Sequence, residues 1–350
     1  MNDIQKSYDE LPYISPAFAE TSPARLEALA SFLSLTPPPS KTARVLEIGC
    51  SYGGNLFPFA IANPQAKALG IDLSLVQINK AKELAEQMRV DNIEFMAKDI
   101  CDFTDADVRD YGKFDYIICH GVYSWVPDVV KDAILKTIKR FLSPNGVAYV
   151  SYNVYPGWKI KDTIRDFLVF GTKDVKGEAA KVAKARELLK VLGEYAKFCQ
   201  KDDNISQIFL NYESLKFHID YILSASNSYI AHEYLEVFND PIYFKDFAAD
   251  LDKNGLAYLA EVGLEDVFQS NLGIDEFDAY IDANFSSRIE KEQMLDFLTN
   301  RVFRRSMITH KDLVSDDFSV NIGADELCKL HISAGFEKTK AGYVNINGAP

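Results

Sequence analysis

Acidic side chains follow three short apolar segments near the start of the chain, and the first stands beside a glycine-rich turn. Residues 45–55 read Val-Leu-Glu-Ile-Gly-Cys-Ser-Tyr-Gly-Gly-Asn, so Glu47 lies two positions before Gly49. Asp72 follows the second apolar segment and Asp99 follows the third. Glycine lets a ligand approach the main chain closely, and the free N–H groups of a following helix would point at that ligand. A carboxylate at Glu47 would repel a pyrophosphate and suits a ligand that carries positive charge.

The spacing of this turn differs from that of a dinucleotide site. The dinucleotide fingerprint is G-x-G-x-x-G, whereas this chain reads E-x-G-x-x-x-G-G from Glu47 onward. Asp72 lies 23 positions after Gly49, about where such folds place a carboxylate that binds the ribose hydroxyls. Asp99 could hold an adenine by a hydrogen bond and Ile100 by packing. The turn alone is also compatible with an ordinary α/β protein, but three acidic residues in this order are far more specific.

Alternating strand and helix patterns from Arg44 onward predict the framework that would position these residues. Apolar runs predict strands at 44–48, 66–71, 93–97, 114–119 and 147–152, with helices between them. This alternation indicates a parallel sheet covered on both faces, with its ligand beyond the carboxyl ends of the strands. Two later runs, 256–262 and 304–310, are expected to complete the sheet. The predicted fold class is therefore α/β, with a doubly wound, seven-stranded, mostly parallel sheet.

The remaining patterns divide the chain into four parts. Residues 1–43 are predicted to form an arm and a helix over the ligand site, and residues 44–157 the ligand-binding core. Residues 158–310 are mostly helical apart from the two late strands, so we expect a large insertion that forms a lid. Residues 311–350 form a small mixed segment, too short to hold much core alone.

Composition argues against several classes of function. The formal net charge is −13, so nucleic acid is a poor partner and a cationic partner a better one, although an acidic surface can also serve solubility alone. The sequence contains no run of 18 or more apolar residues, so it predicts no membrane-spanning helix. The first six residues lack the order of a signal peptide. The five scattered cysteines predict neither a disulfide framework nor a zinc site, so we expect a cytoplasmic location.

The residues around the turn resemble the class I S-adenosylmethionine-dependent methyltransferases. Glu47–Gly53 is similar to the first motif of that family, Ile71–Ser74 to its second and Lys98–Ile100 to its third. The resemblance implies S-adenosyl-L-methionine as cofactor, with its amino-acid end at the glycine turn, its ribose at Asp72 and its adenine at Asp99. One departure is a cysteine where the family often has glycine or alanine. The implied cofactor-binding residues are Glu47, Gly49, Cys50, Ser51, Gly53, Asn55, Asp72, Leu73, Asp99, Ile100, His120 and Gly121.

Other segments resemble a narrower group, the methyltransferases that carry a regulatory domain, which includes rickettsial-type lysine methyltransferases of outer-membrane proteins. These segments are Tyr8–Pro12, Ala17–Thr21, Asn153–Trp158 and His232–Glu236. The resemblance implies methyl transfer to an amine, and we expect a lysine-containing protein as the substrate. Two alternatives remain open: a small-molecule N- or O-methyltransferase, and a non-catalytic module that binds the cofactor. Those relatives are longer, which leaves open whether a C-terminal domain is missing here. The oligomeric state is not indicated.

Four residues outside the cofactor motifs are candidates for the transfer step. Asn153, Tyr155 and Trp158 follow the fifth strand, where the methyl group should point, and aromatic faces bind both a cationic amine and a sulfonium. The alternative is a rigid aromatic turn that packs the lid. His232 could place a base over the methyl group, although a capped lid helix also explains it, and the absence of H-E-x-x-H predicts no metal site. The insertion is acidic, because residues 202–300 hold 20 Asp+Glu and 5 Lys+Arg. The three arginines within Arg301–Arg305 are therefore expected to pair with the insertion rather than with a substrate carboxylate.

Overall fold

The computed structural model describes residues 16–315 except residues 110, 201–211, 237 and 264–273, together with residue 328 and two late strands. The motif Tyr8–Pro12 and most of the segment 316–350 lie outside the described residues. Within the described residues, no helix combines the length and the apolar character needed to cross a bilayer.

Seven strands form one sheet in the order β3-β2-β1-β4-β5-β7-β6. Strands β1 to β5 are paired in parallel, and β7 runs antiparallel to both β5 and β6. The predicted fold class is confirmed, including the two late strands that complete the sheet. The strands are β1 Arg44–Ile48, β2 Lys67–Asp72, β3 Ile93–Ala97, β4 Phe114–Cys119, β5 Leu142–Asn153, β6 Leu256–Glu261 and β7 Phe303–His310; β8 Phe336–Thr339 and β9 Gly342–Asn345 form a separate antiparallel pair.

Helices connect the strands and build the insertion. In the core they are α1 Pro23–Phe32, α2 Leu56–Ala62, α3 Leu75–Met88 and α4 Asp128–Phe141. After β5 they are α5 Trp158–Thr172, α6 Glu178–Gln200, α7 Tyr212–Ser224 and α8 Asn227–Ile230, which continues as a π-helical turn over Ala231–Leu235. The later helices are α9 Phe244–Lys253, α10 Asp275–Asn284 and α11 Arg288–Thr299.

Alternation along the central strands builds a core on each face of the sheet. Val45 faces one apolar cluster with residues of α1 and α2, whereas Leu46 and Ile48 face the other with residues of α4 and α9. Because both faces are covered, these strands read as nearly continuous apolar runs. A third apolar cluster joins α5, α6 and α7 to Tyr234 within the insertion.

The fifth strand begins earlier than its sequence pattern predicts. The Ser-Pro-Asn-Gly segment that follows Leu142 has the composition of a turn, yet the structure places it inside β5. Leu142 pairs with Phe114 across the strands, and Val147 pairs with Tyr116, so the intervening residues form an irregularity in the ladder. Both Leu142 and Phe114 are buried, and their packing outweighs the local preference for a turn.

The arginines at the start of β7 are paired with carboxylates. Arg304 is fully buried and donates to Glu261 Oε1 at 2.9 Å, Glu292 Oε2 at 2.9 Å and Asp296 Oδ1 at 2.8 Å. Arg301 also forms an ion pair with Asp296. These contacts agree with the expected pairing to the acidic insertion. The third arginine differs, because Arg305 pairs with Glu20 of the N-terminal arm at 3.1 Å.

Candidate functional site

The turn after β1 has a backbone that only small residues tolerate. Gly49 has a φ of +73°, and a Cβ atom there would come within 2.3 Å of Val122 Cγ2. Gly53 has a φ of +82°, and its Cβ would lie 2.6 Å from the ring of Phe95. Both positions therefore need glycine for backbone angle and for space. The turn is tied to β2, because the Gly49 amide donates to the Ile71 carbonyl at 2.8 Å.

Cys50 fits this turn because the neighbouring strand carries a glycine. The cysteine is buried, and a Cβ at Gly70 of β2 would lie 2.7 Å from Cys50 Sγ. The missing side chain at Gly70 therefore leaves the space that the larger Cys50 side chain fills. Burial raises the pKa of the Cys50 thiol, so this thiol remains protonated and acts as a packing group.

Glu47 is a buried carboxyl group with one unpaired oxygen. Its side chain is 3% exposed, Oε1 accepts a hydrogen bond from Asn55 Nδ2 at 2.7 Å, and Oε2 has no hydrogen-bond partner. Burial raises the pKa of Glu47 to about 8, with a further contribution from the charge of Asp72, against the opposing effect of the Asn55 hydrogen bond. Buried polar atoms are normally paired, so Oε2 is suited to a positively charged hydrogen-bond donor from a ligand.

Asp72 at the end of β2 joins two backbone segments. Its Oδ2 accepts from the Ser51 amide at 2.9 Å, and its Oδ1 accepts from the Ser74 amide at 2.9 Å. These two bonds orient the carboxylate, a group with about four acceptor positions, at the end of β2. Leu73, the next residue, is 39% exposed. Ser74 caps α3 by accepting from the Gln77 amide.

Asp99 and Ile100 follow β3, beside the end of β2. Asp72 pairs with Ala97 across the two strands, and the Lys98 amide donates to the Asp72 carbonyl at 2.9 Å. Asp99 is exposed and caps a short 3-10 helix by accepting from the Cys101 amide at 2.9 Å, whereas Ile100 is half-buried. The structure thus brings the second and third acidic residues to one edge of the sheet.

His120 and Gly121 follow β4, on the other side of β1. Nδ1 of His120 lies 2.8 Å from the Tyr149 hydroxyl. Burial lowers the pKa of His120 to about 4, and the nearby Arg305 lowers it further although Glu20 opposes this. The imidazole is therefore neutral near pH 7. The Gly121 amide donates to Ser151 Oγ at 2.9 Å, and open space lies where a side chain would be.

Phe18, in the predicted N-terminal arm, contacts two residues of this site, Asn55 and His120, which the sequence analysis did not pair with the arm. The Phe18 amide donates to Asn55 Oδ1 at 2.8 Å, and the Phe18 ring lies 4.1 Å from the His120 ring between centroids. The arm is thereby linked through Asn55 to Glu47. Phe18 lies within the segment Ala17–Thr21 that the sequence analysis singled out. Its contact with Asn55 joins residues 37 positions apart, and no local sequence pattern predicts such a contact.

The proposed transfer residues lie in two places. Asn153 ends β5, donates from Nδ2 to Asn239 Oδ1 at 2.9 Å and is 4% exposed. Tyr155 is half-buried and donates to Asp162 Oδ2 at 2.9 Å. Trp158 is 1% exposed, and the Lys161 ammonium lies 4.3 Å from its ring centroid, so this ring is part of the interior.

His232 belongs to the insertion rather than to the strand ends. It lies in the π-helical turn after α8, and its Nδ1 is 3.0 Å from Glu236 Oε1 within the same segment. Both side chains are buried. The hydrogen bond of His232 therefore stabilises the insertion, whereas the role of Asn153, Tyr155, Trp158 or His232 in transfer stays a prediction.

Two protein families match successive parts of this chain. Residues 39–209 match the family described as "Methyltransferase domain", and residues 226–310 match the family described as "Predicted methyltransferase regulatory domain". The chain belongs to the S-adenosylmethionine-dependent methyltransferases. The matched regulatory region of this methyltransferase contains His232, α9 to α11 and the last two strands of the main sheet.

Several proteins similar to this chain come from Rickettsia. This chain is 37% identical over 329 residues to the uncharacterised protein RP789 of Rickettsia prowazekii (strain Madrid E). The aligned region covers 93% of this chain and 56% of RP789. The chain is 37% identical over 247 residues to RP028 of the same strain, covering 71% of this chain and 94% of RP028. The solved structure of PKMT2 from Rickettsia typhi in complex with AdoHcy is 36% identical with a TM-score of 0.78, covering 90% of this chain and 57% of that chain. The chain thus spans a little more than half the length of RP789 and of PKMT2.

Proposed function

We propose that this methyltransferase transfers the methyl group of S-adenosylmethionine to an amine nitrogen, and that the amine belongs to a lysine side chain of a protein. The observation that carries the cofactor half of the proposal is the unpaired, buried Oε2 of Glu47. The cofactor carries an α-ammonium group, which would donate to this oxygen and neutralise the buried carboxylate. A dinucleotide has no such group at its pyrophosphate and would be repelled there.

The other residues would hold the cofactor along the strand ends. The carboxylate of Asp72, oriented by two backbone amides, would accept hydrogen bonds from the ribose. Asp99 would bind the adenine, and Leu73 and Ile100 would pack against it. Neutral His120 and the open space at Gly121 would border the methyl end, where a second positive charge would oppose the sulfonium. S-adenosylmethionine supplies the activated methyl group itself.

The lysine half of the proposal is supported by the similarity to PKMT2, whose name denotes a protein-lysine methyltransferase. The acceptor amine must lose a proton before it attacks, and its reference pKa is about 10.4. Loss of water around the amine at the point of transfer would favour its neutral form, whereas aromatic faces would bind the protonated amine before transfer. The residues at the end of β5, with Tyr155 half-buried there, are suited to enclose an aliphatic side chain and exclude water.

We expect Asp72→Ala to weaken binding of S-adenosylmethionine about ten- to a hundredfold, because hydrogen bonds to a charged group contribute about 1.5–3 kcal/mol. Calorimetric titration would measure the change. Asp91→Ala is the matched control: Asp91 is exposed and precedes β3, so it lies at the opposite edge of the sheet. Equal affinities of the Asp72→Ala variant and the unaltered protein would refute the ribose assignment.

A label-transfer experiment tests the reaction. The protein is incubated with methyl-labelled S-adenosylmethionine and bacterial lysate, and precipitated polypeptides are mapped by mass spectrometry. We expect label on lysine residues, retained with Asp91→Ala and strongly reduced with Asp72→Ala. Label confined to small molecules would indicate a small-molecule methyltransferase instead. Cofactor binding without label transfer to any acceptor would indicate a non-catalytic module.

A further inference from the structure

Two tyrosines from distant parts of the chain lie together beyond the end of β5. The ring centroids of Tyr155 and Tyr243 are 5.5 Å apart with an interplanar angle of 51°. Their positions are set by the backbone, because the Tyr155 amide donates to the Ile242 carbonyl at 3.1 Å and the Ile242 amide donates to the Asn153 carbonyl at 3.2 Å. Phe297 extends the aromatic surface, 5.8 Å from the Tyr243 ring centroid.

The ammonium group of Lys159 contacts both rings. Lys159 Nζ lies 4.5 Å from the Tyr155 centroid and 5.8 Å from the Tyr243 centroid. Both distances are within the range of a cation–π contact. Among the described side chains, the other lysine and arginine contacts of this kind each involve one ring, such as Lys173 over Phe170 at 4.5 Å.

Carboxylates act on the Tyr155 ring of this pair, whereas Lys245 Nζ lies 5.9 Å from the Tyr243 centroid. Asp162 accepts the hydroxyl hydrogen of Tyr155 at 2.9 Å, and the charge of Asp240 also acts on Tyr155. Aromatic faces with adjacent carboxylates attract a cation and give no advantage to a neutral group of the same shape. The exposed Lys159 side chain is flexible and can leave the rings at a small cost.

We propose that Tyr155 and Tyr243 form a binding site for an alkylammonium group, which Lys159 occupies in the free protein and which the lysine side chain of a polypeptide substrate takes by displacing Lys159. The identity of the natural ligand rests on the proposed function, whereas the site itself rests on the two rings and their occupant. Lys159 then acts as an internal competitor that weakens binding of an incoming lysine.

Titration of the cofactor-free protein with Nα-acetyl-lysine N-methylamide tests this site. Binding is measured from the NMR signals of ¹³C-labelled tyrosine rings. Lys159→Met should tighten binding about two- to fivefold, the range expected from losing an exposed cation–π competitor. Lys159→Arg keeps the cation and should change little. Lys173→Met is the matched control, because it removes a lysine from an aromatic ring elsewhere in the insertion. The neutral analogue with norleucine in place of lysine should bind more weakly to every variant.

Variants of Tyr243 test the contribution of the rings, independently of Lys159. Tyr243→Leu should weaken binding of the lysine probe, and Tyr243→Phe, which keeps the ring, should restore it. A tighter complex with Lys159→Met cannot arise from misfolding, so it guards against a trivial loss of structure. The site is refuted if Lys159→Met binds the probe no better than the unaltered protein, or if the norleucine analogue binds as well as the lysine probe.

The outcomes separate this site from the proposed function. Tighter probe binding by Lys159→Met without methylation of any lysine would support the alkylammonium site and contradict the lysine substrate. If protein lysine is methylated but Lys159→Met does not bind the lysine probe more tightly, the proposed function is supported and the role of Lys159 is refuted.

Discussion

Glu47→Gln should reduce the affinity for S-adenosylmethionine by about a hundredfold or more, the largest functional effect that we expect from one substitution. Glu47 is buried and its Oε2 has no hydrogen-bond partner, so the α-ammonium of the cofactor would form a charge pair shielded from water. Removing one member of a buried pair costs about 3–5 kcal/mol. Calorimetric titration would measure the loss, with Glu94→Gln on an exposed position of β3 as the control.

The pH dependence of binding gives this prediction a second readout. In the cofactor-free protein, burial raises the pKa of Glu47 to about 8, so the group is mostly protonated at pH 7. Binding of the ammonium requires the carboxylate, and therefore releases a proton. Affinity should rise as the pH increases from 6, by up to about tenfold per unit. It should level off near pH 8, where an α-amino group begins to lose its own proton.

Glu47→Gln should abolish most of this slope, because glutamine has no proton to release. Calorimetry in two buffers that differ in ionisation enthalpy would count the released protons directly. The variant should also remain folded without the cofactor, since the amide removes a buried ionisable group and can still accept from Asn55 through its oxygen. An affinity that stays constant between pH 6 and 7.5 in the unaltered protein would contradict the role of Glu47.

Arg304→Met should lower the free energy of unfolding by about 3–5 kcal/mol, the largest effect on stability that we expect. Arg304 is fully buried and bonds to Glu261, Glu292 and Asp296. Methionine fills similar volume but removes the ion pairs of the buried Glu261 and Glu292, while Asp296 keeps its ion pair with Arg301. Because Arg304 joins β7 to β6 and α11, its loss should weaken the edge of the sheet and the regulatory region together.

Urea unfolding followed by circular dichroism would measure this change. Arg305→Met is the matched control: the adjacent arginine has a side chain that is 34% exposed and pairs with Glu20 near the surface. An exposed ion pair contributes about 0–1 kcal/mol, so the control should unfold near the urea concentration of the unaltered protein. Similar losses in both variants would show that the buried network contributes no more than an ordinary surface pair.

The sequence alone determined the framework of this protein. Strands β1, β3 and β4 occupy the predicted residues, because strands buried on both faces produce short apolar runs between polar turns. The order of Glu47, Asp72 and Asp99 at successive strand ends could be inferred for a similar reason, since parallel strands bring their carboxyl ends to one edge of the sheet. The local sequence is therefore sufficient to predict these strands and the order of the acidic residues.

Only the tertiary structure decided which distant residues meet. Phe18 reaches Asn55, Cys50 fills the space left by Gly70, and Tyr155 lies beside Tyr243. The same holds for the unpaired oxygen of Glu47, because its burial depends on the surrounding elements and not on its neighbours in the chain. Such contacts join segments far apart in sequence, so their energies come from packing and desolvation in the folded chain, for which no local pattern exists.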